Sequence, residues 1–284
     1  MSRSDDPLSR KPSREKEPAM KIDRNLETDQ EARLQPPCET PQTGEDDAVP
    51  KGTQGPPQAY LDALEALSSQ YDVVVPIIQN LDGMEKEGPD PSVSLTFTVA
   101  HYAMQRIRKA KPSDRVCLIL HTLGGLYLPA EMIADQLKRH PGETTVFVPY
   151  IATSGGTLIA LSADNLVLGQ CARLGPTDSV TCGYQSGSYA NLIDQKNLDR
   201  IDDQTLLIGY DATKFYGYVR QKARKLLNPS HHHQGEGKYR VADAISDCQN
   251  SHGRGFDRED LLEMGVRLAG MDDCPAEVYA LVDA

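Results

Sequence analysis

The sequence lacks an excess of positive charge: its 284 residues carry a formal net charge of -11 at pH 7. Nucleic acids and anionic membrane surfaces both favour a basic protein face, so neither is expected as the main partner. The chain also lacks any apolar run of about 18 residues, the length that a membrane-spanning helix needs. The opening stretch MSRSDDPLSRKPSREKEPAM contains no apolar core typical of a secretory signal. We therefore expect no integral membrane segment.

Patterns that would indicate disulfides, metals or nucleotides are also missing. The six cysteines form no CxxC pair and no recognisable disulfide framework, which favours reduced thiols and a cytoplasmic location. His231, His232 and His233 have no carboxylate or cysteine ligands at a recognisable spacing, so we interpret NPSHHHQGEGKYR as a solvated polar loop. No G-x-G-x-x-G motif is present. We predict no metal and no organic cofactor.

The first 56 residues differ from the rest of the chain. They hold 8 of the 19 prolines, no aromatic residue and interspersed charges of both signs. Such a segment cannot bury enough apolar area to offset its conformational entropy. We predict a disordered N-terminal tail over residues 1–56 and one folded domain over residues 57–284.

From residue 58 onward the sequence alternates between helix and strand patterns. Apolar residues recur at helical spacing in QAYLDALEALSSQ, LPAEMIADQLKRH and DDQTLLIGYDATKFYGYVRQKARKLL. The segments DVVVPIIQNL, RVCLILHT, TTVFVPYIA and NLVLG indicate buried strands, SVSLTFTVAHYAMQRIRKA a helix or a strand leading into one, and TLIALSA a short helix. DREDLLEMGV predicts a closing helix with Asp257 as its N-cap. The alternation predicts an α/β fold with a mostly parallel sheet flanked by helices.

Two of the predicted strands end in glycine pairs. Gly124-Gly125 follows RVCLILHT, and Gly155-Gly156 follows TTVFVPYIA with Ser154 just before it. Glycine pairs let backbone N–H groups point into the space above a sheet, so two such turns on neighbouring strands can form an oxyanion hole. Ser154 would then be a nucleophile at a helix N-terminus. The alternative is that Ser154 or Thr153 simply caps the next helix.

Three segments together resemble the serine dehydrogenase proteinase family, which is similar to signal peptide peptidase A and shares the Clp protease/crotonase fold. They are ILHTLGGLYLPAEMIADQL, VPYIATSGGTLIALSADNLVLGQCARLGPTDS and DATKFYGYV. The resemblance covers about residues 70–268, and its most specific part is the ordered set TLGG, TSGG and LGPTD. It implies a Clp/crotonase-like fold and rings or tetramers of identical subunits.

The same resemblance implies roles for individual residues. Ser154 matches the nucleophile, Gly125 and Gly155 match the oxyanion-hole donors, and the turn LGPTDS matches one that shapes the site. Related enzymes carry a lysine base some fifty to sixty residues after the serine on a long helix, and Lys214 lies 60 residues after Ser154. An N-terminal membrane segment is common in the family, and we expect none in this chain.

The identity of the base stays open at this point. Lys214 requires dry surroundings that keep its amine neutral, and the neighbouring Tyr210, Phe215 and Tyr218 suit that requirement. Lys196 is the nearest alternative lysine. His252 needs no unusual pKa shift to act as a base, although a structural or orienting role is equally compatible with the pattern.

Two further residues are candidates for auxiliary roles. Asp178 orients the base or, as we favour, fixes the LGPTD turn. His121 begins the HTLGG turn and is either a site-lining or a packing residue.

The motifs, together with what the resemblance implies, predict a soluble serine peptidase of the Clp-like fold with a Ser154–Lys214 dyad and an oxyanion hole from Gly125 and Gly155. It would cleave a peptide or protein substrate, bound as an extended segment, through an acyl-enzyme. Two alternatives remain: a crotonase-type acyl-CoA enzyme, and a catalytically incomplete scaffold or regulatory protein.

Overall fold

The computed structural model describes residues 55–81, 94–233, 235, 237–248 and 251–284. The N-terminal tail expected over residues 1–56 lies almost entirely outside these residues, so both the tail and its boundary with the folded domain stay predictions.

The described chain alternates helices and strands, as the patterns indicate. The α-helices are α1 (Gln58–Ser68), α2 (Phe97–Lys109), α3 (Tyr127–Lys138), α4 (Gly155–Ala160), α5 (Ser186–Gln195), α6 (Asp203–Leu226), α7 (Arg240–Ser246), α8 (Arg258–Met264) and α9 (Ala276–Asp283). The strands are β1 (Val73–Ile78), β2 (Val116–His121), β3 (Thr144–Val148), β4 (Ile151–Ala152), β5 (Asn165–Leu168), β6 (Arg173–Leu174), β7 (Val180–Thr181) and β8 (Tyr184–Gln185). Short 3₁₀ turns occur at Leu198–Arg200 and Pro229–His231.

The centre of the fold is a parallel sheet of four strands in the order β1-β2-β3-β5. Its strands are β-branched and apolar because both faces are covered. On β2, Leu118 and Leu120 face a core shared with α2, α3 and α4, whereas Cys117 and Ile119 face a second core with α1 and α9. The predicted mostly parallel sheet flanked by helices is confirmed.

The segment TTVFVPYIA is not one strand, which corrects the sequence-based prediction. It divides into β3, which belongs to the central sheet, and β4, which pairs in parallel with β6. The break falls at Pro149-Tyr150, because proline has no N–H to continue the ladder. Ser154 therefore follows a short strand beside the central sheet.

The C-terminal part of the chain also differs from the prediction in one respect. Asp257 does cap α8, with a capping box formed with Asp260. However, α8 does not close the chain, because α9 follows it and packs beside α1. None of the helices in the described ranges has both the length and the apolar character that crossing a membrane requires.

Candidate active site

The two glycine turns meet, as their positions after neighbouring strands predict. Strands β2 and β3 pair directly, and Thr122, just beyond β2, pairs with Ala152 of β4. The Gly124 turn touches the serine turn so closely that a Cβ on Gly124 would lie 2.7 Å from the Ser154 Cβ and 3.3 Å from its Oγ. Only glycine fits at position 124, where the backbone also has a φ of +100°.

Ser154 has φ 53° and ψ -122°, a backbone conformation that residues other than glycine rarely adopt. Such strain is typical of a sharp strand-to-helix turn that presents a nucleophile. The serine occupies the N-cap position of α4, but its side chain makes no capping hydrogen bond. The Thr153 hydroxyl donates instead to the Leu123 carbonyl at 2.7 Å. The Ser154 hydroxyl therefore does not cap α4.

Two backbone amides of the glycine turns have no hydrogen-bond acceptor among the described residues. Within the described residues, neither the Gly125 nor the Gly155 N–H donates a hydrogen bond. The Gly124 carbonyl accepts from the Leu95 N–H at 2.8 Å, and because the peptide group is planar and trans, the Gly125 N–H must point the opposite way. The Gly155 N–H is one of the free amides in the first turn of α4.

Asp178 and His252 form a hydrogen-bonded pair close to the same turn. Leu174 of β6 pairs antiparallel with Phe256 in an isolated bridge, which brings the segment after β6 beside the segment that carries His252. The Nδ1 of His252 lies 2.9 Å from Oδ1 of Asp178. The Asp178 side chain is fully buried, whereas 39% of the His252 side chain is exposed.

The hydrogen bond to Asp178 defines the tautomer of His252 and shifts its pKa. An ionised carboxylate only accepts, so Nδ1 carries the proton and Nε2 is free to accept one. The hydrogen bond to Asp178 raises the pKa of His252, and this effect outweighs burial, which lowers it. Gln185 also donates to Asp178, through Nε2 at 2.7 Å, and so helps to fix the carboxylate.

Backbone pairing connects the Asp178–His252 pair to Ser154. The Ser154 N–H donates to the Pro176 carbonyl at 3.0 Å, and Pro176 precedes Asp178 by two residues. In the described part of the chain, no hydrogen bond joins the Ser154 hydroxyl to His252. Catalytic hydrogen bonds often form only when substrate is bound, so the lack of this bond does not argue against a base role for His252.

Lys214 lies on α6 with its side chain exposed, and the described residues do not provide the dry surroundings expected for it. The expected aromatic neighbourhood is present: the rings of Phe215 and Tyr218 lie 5.7 and 5.8 Å from that of Tyr127, at the start of α3. This stretch of α6 therefore lies near the Gly125 turn. Lys196, the alternative lysine, is exposed at the end of α5.

His121 points away from the serine. It continues the side of β2 that carries Cys117 and Ile119, and its ring packs edge-on against Tyr150 at 5.7 Å. Burial lowers its pKa. Thr122, the next residue, faces the opposite way, toward Gly156. His121 thus belongs to the α1 and α9 side of the sheet.

Comparison with known proteins identifies the family. Residues 95–284 match the family model described as ClpP-like SDH-type serine proteinase. The chain belongs to this family. Its members include serine proteinases by description, which agrees with the resemblance carried by TLGG, TSGG and LGPTD.

Individual similar proteins include two from Methanocaldococcus jannaschii. One, described as uncharacterized protein MJ0137, is 33% identical over 227 residues, which cover 79% of this chain and 78% of the relative. The other, uncharacterized protein MJ1495, is 29% identical over 190 residues, 66% of this chain and 63% of the relative. Among solved structures, ClpP1 from Listeria monocytogenes aligns with a TM-score of 0.44 and 11% identity, over 72% of this chain and 92% of that one.

The three consecutive histidines are not the solvated loop that the sequence predicts. His231 is 1% exposed, and its Nδ1 accepts from the Arg267 N–H at 2.9 Å. His232 packs against the Tyr239 ring, and His233 contacts the Met264 carbonyl. In the described ranges, no group of three or more histidine, cysteine or acidic side chains is arranged to hold a metal ion.

Sequence patterns did not single out two residues that contact the Gly124–Gly125 turn. The Leu95 N–H donates to the Gly124 carbonyl, and the Leu95 carbonyl accepts from the Leu126 N–H. Gln79 contacts it through its side chain. Neither belongs to a recognisable motif, and the only signal in the sequence is the placement of a polar residue at the end of the buried strand β1.

Proposed function

We propose that this member of the ClpP-like SDH-type serine proteinase family cleaves peptide bonds through an acyl-enzyme on Ser154. One observation carries the proposal: the Ser154 hydroxyl makes no capping bond and stands on a strained turn that packs against Gly124, the residue before the Gly125 amide, and leads directly into the Gly155 amide. Substrate oxygen placed between these two N–H groups would become negatively charged in the transition state, where such donors have the greatest effect. The family membership supports a serine peptidase at the general level.

We assign the base to His252 rather than to Lys214. His252 has an Nε2 without a hydrogen-bond partner among the described residues and a carboxylate partner at 2.9 Å, and Pro176, two residues before that carboxylate, bonds to the serine turn. It would take the Ser154 proton during attack on the carbonyl carbon and return it to the leaving amine, after which water would hydrolyse the acyl-enzyme. Asp178 would orient the ring and stabilise its charged form.

The Ser154–Lys214 dyad remains the alternative. It is supported by the spacing of the two residues and by the packing of Phe215 and Tyr218 beside the start of α3. It requires that Lys214 lose its exposure, which a bound substrate or a neighbouring subunit would have to provide. The proposal therefore includes a homo-oligomer, in which a second copy of the chain would cover Lys214.

Other functions receive less support. A crotonase-type enzyme would need an adenine and phosphate site and would not require the strained Ser154. A scaffold with an incomplete site would not need the Asp178–His252 pair to be assembled beside that turn. We propose an extended peptide substrate that pairs with backbone at a sheet edge, and a cytoplasmic location, based on the cysteine pattern.

Labelling with a fluorophosphonate tests the proposal. The intact protein should be labelled on Ser154, and Ser154→Ala should abolish the labelling while the circular dichroism spectrum stays unchanged. Ser162→Ala is the matched control: Ser162 is 1% exposed and its hydroxyl already donates to the Ile159 carbonyl, so its loss should leave labelling intact. Labelling that persists in Ser154→Ala would place the nucleophile elsewhere, with Ser179 as the next candidate.

A further inference from the structure

Gln79 braces the turn that carries one of the two proposed anion-binding amides. It follows β1, is 5% exposed, and its own N–H donates to the His121 carbonyl at 2.8 Å. Its side-chain carbonyl, Oε1, accepts from the Leu123 N–H at 2.9 Å and from the Thr122 hydroxyl at 3.1 Å. One buried acceptor therefore holds two consecutive residues of the turn.

The Thr122 hydroxyl also holds Gly124, the first glycine of the turn. Its oxygen accepts from the Gly124 N–H at 3.0 Å. A hydroxyl has a single proton, and donating it to Gln79 leaves a lone pair of the oxygen facing the Gly124 N–H. Without Gln79, the proton could turn toward the Gly124 carbonyl, which lies 3.4 Å away.

The remaining bonds of the turn complete its fixation. The Leu123 carbonyl accepts from the Thr153 hydroxyl at 2.7 Å, so Leu123 is held at both its N–H and its C=O. The Gly124 carbonyl accepts from Leu95, which sets the direction of the Gly125 N–H. The turn contains two glycines at positive φ and has no intrinsic stiffness, so its geometry depends on these partners.

We propose that Gln79 is a positioning residue for the oxyanion hole: its side-chain carbonyl, acting through Thr122 and Leu123, keeps the Gly125 N–H aimed at the space above Ser154. The inference rests on the proposed function. A neutral amide suits this place, because a carboxylate with the same acceptor geometry would add negative charge next to a developing oxyanion. Gln79 lies outside residues 95–284, which match the family model.

The rate of fluorophosphonate labelling of the full chain measures the effect. Gln79→Met keeps the length but has no strong acceptor, and should slow labelling by about 10- to 100-fold, the range expected from a misplaced donor. Thr122→Val should slow it similarly, and Thr122→Ser, which keeps the hydroxyl, should restore it. The double variant Gln79→Met/Thr122→Val should be little slower than either single variant, because the two residues act through one path.

Two comparisons separate positioning from a loss of stability. Thr144→Val removes a buried hydroxyl that bonds to Asp164 at the far end of the same sheet, and should lower the melting temperature without changing the labelling rate. Gln79→Glu should match the wild-type rate in acid and fall behind as its carboxyl ionises, and melting temperatures measured at each pH distinguish this trend from unfolding caused by a buried charge. Wild-type labelling rates in Gln79→Met at the same pH would overturn the proposal.

Hydrogen exchange distinguishes failure of this inference from failure of the proposed function. If the wild-type protein is not labelled at all, the peptidase proposal fails. Faster exchange of the Leu123 and Gly124 amides in Gln79→Met, without change elsewhere, would then still support Gln79 as the brace of the turn. Unchanged exchange at both amides would overturn that role whatever the labelling shows.

Discussion

Ser154 is the residue where local conformational preference and the observed backbone disagree most. A serine at φ 53° carries strain on the order of 1–3 kcal/mol because of its Cβ. We expect Ser154→Gly to raise the melting temperature, since glycine adopts this conformation without a steric cost. Ser154→Ala should leave stability almost unchanged, because the hydroxyl makes no capping bond.

This expectation replaces the loss of about 1 kcal/mol that an N-cap serine would imply. Thermal unfolding of the three proteins measures it, with Ser162→Ala as the control for a lost hydroxyl. A Ser154→Ala variant that melts several degrees below wild type would show that the hydroxyl supports the fold.

The choice of base can also be tested at the scale of single residues. The base must be neutral to accept the serine proton, so the rate should rise with pH through the pKa of His252, which Asp178 raises. Asp178→Asn should lower the rate and shift this rise to lower pH, because it removes the carboxylate that favours the charged ring. His252→Gln should lose at least about 100-fold in rate, and Lys214→Met much less.

Rates of peptide cleavage across pH provide the measurement. If Lys214→Met is the more damaging change and the pH profile does not move in Asp178→Asn, the lysine is the base. Equal, small losses from both substitutions would point to Lys196 or to an incomplete site.

At the scale of elements, the start of α8 is the connection that holds the His252 segment. Asp257 accepts from the Asp260 N–H at 2.9 Å and its own N–H donates back to Asp260, while the preceding Phe256 pairs with Leu174. Asp257→Ala should lower the free energy of unfolding by about 1 kcal/mol, and Asp257→Ser should restore most of it. Chemical denaturation measures both, and equal stability of the two variants would argue against the capping role.

At the scale of the whole molecule, one buried histidine should make stability depend on pH. Burial, together with His232 and Arg267, lowers the pKa of His231 to about 4 in the folded protein. In the unfolded chain it titrates near 6.5, so the unfolded state gains a proton first as the pH falls. Stability should therefore be unaffected above pH 6.5 and decline toward pH 4, by roughly 3 kcal/mol in total.

His231→Asn checks this assignment, since its side-chain oxygen can accept from the Arg267 N–H but does not titrate. Whatever the variant loses at pH 8 through the smaller side chain, its stability should fall less than that of wild type between pH 8 and pH 4.5 in denaturant unfolding. Parallel loss of stability in both proteins on acidification would assign the effect to other groups.

Self-association of the whole molecule is also expected. Leu207 and Tyr210, three residues apart on α6, are 70% and 46% exposed. Large apolar side chains placed together on a surface are typical of contact sites between proteins. We expect a homo-oligomer in solution. Light scattering at micromolar concentration should give a multiple of 31.2 kDa, and a mass equal to that of one chain would contradict the expectation.

Periodicity in the sequence was enough to predict the central sheet and most of its helices. The strands β1, β2 and β5 are predominantly apolar because helices cover both faces, and α1, α3 and α6 carry apolar residues at helical spacing. The glycine pairs marked the two turns that meet at Ser154, because only glycine fits there. Pattern alone did not reveal the break at Pro149-Tyr150 or the short helix α9, since both depend on which neighbours the segments find.

The candidate site was likewise predictable from the sequence only in part. Local motifs were enough to predict Ser154 as the nucleophile and the Gly125 and Gly155 amides as its anion-binding partners, and these roles stay predictions. Only the tertiary structure brought together Asp178 and His252, which are 74 residues apart, and Gln79 with Leu123, which are 44 residues apart. It also left Lys214 exposed, although its aromatic neighbours suggested otherwise. Hydrogen bonds between distant segments depend on strand register and burial, and neither quantity is encoded in the residues around any one of these positions.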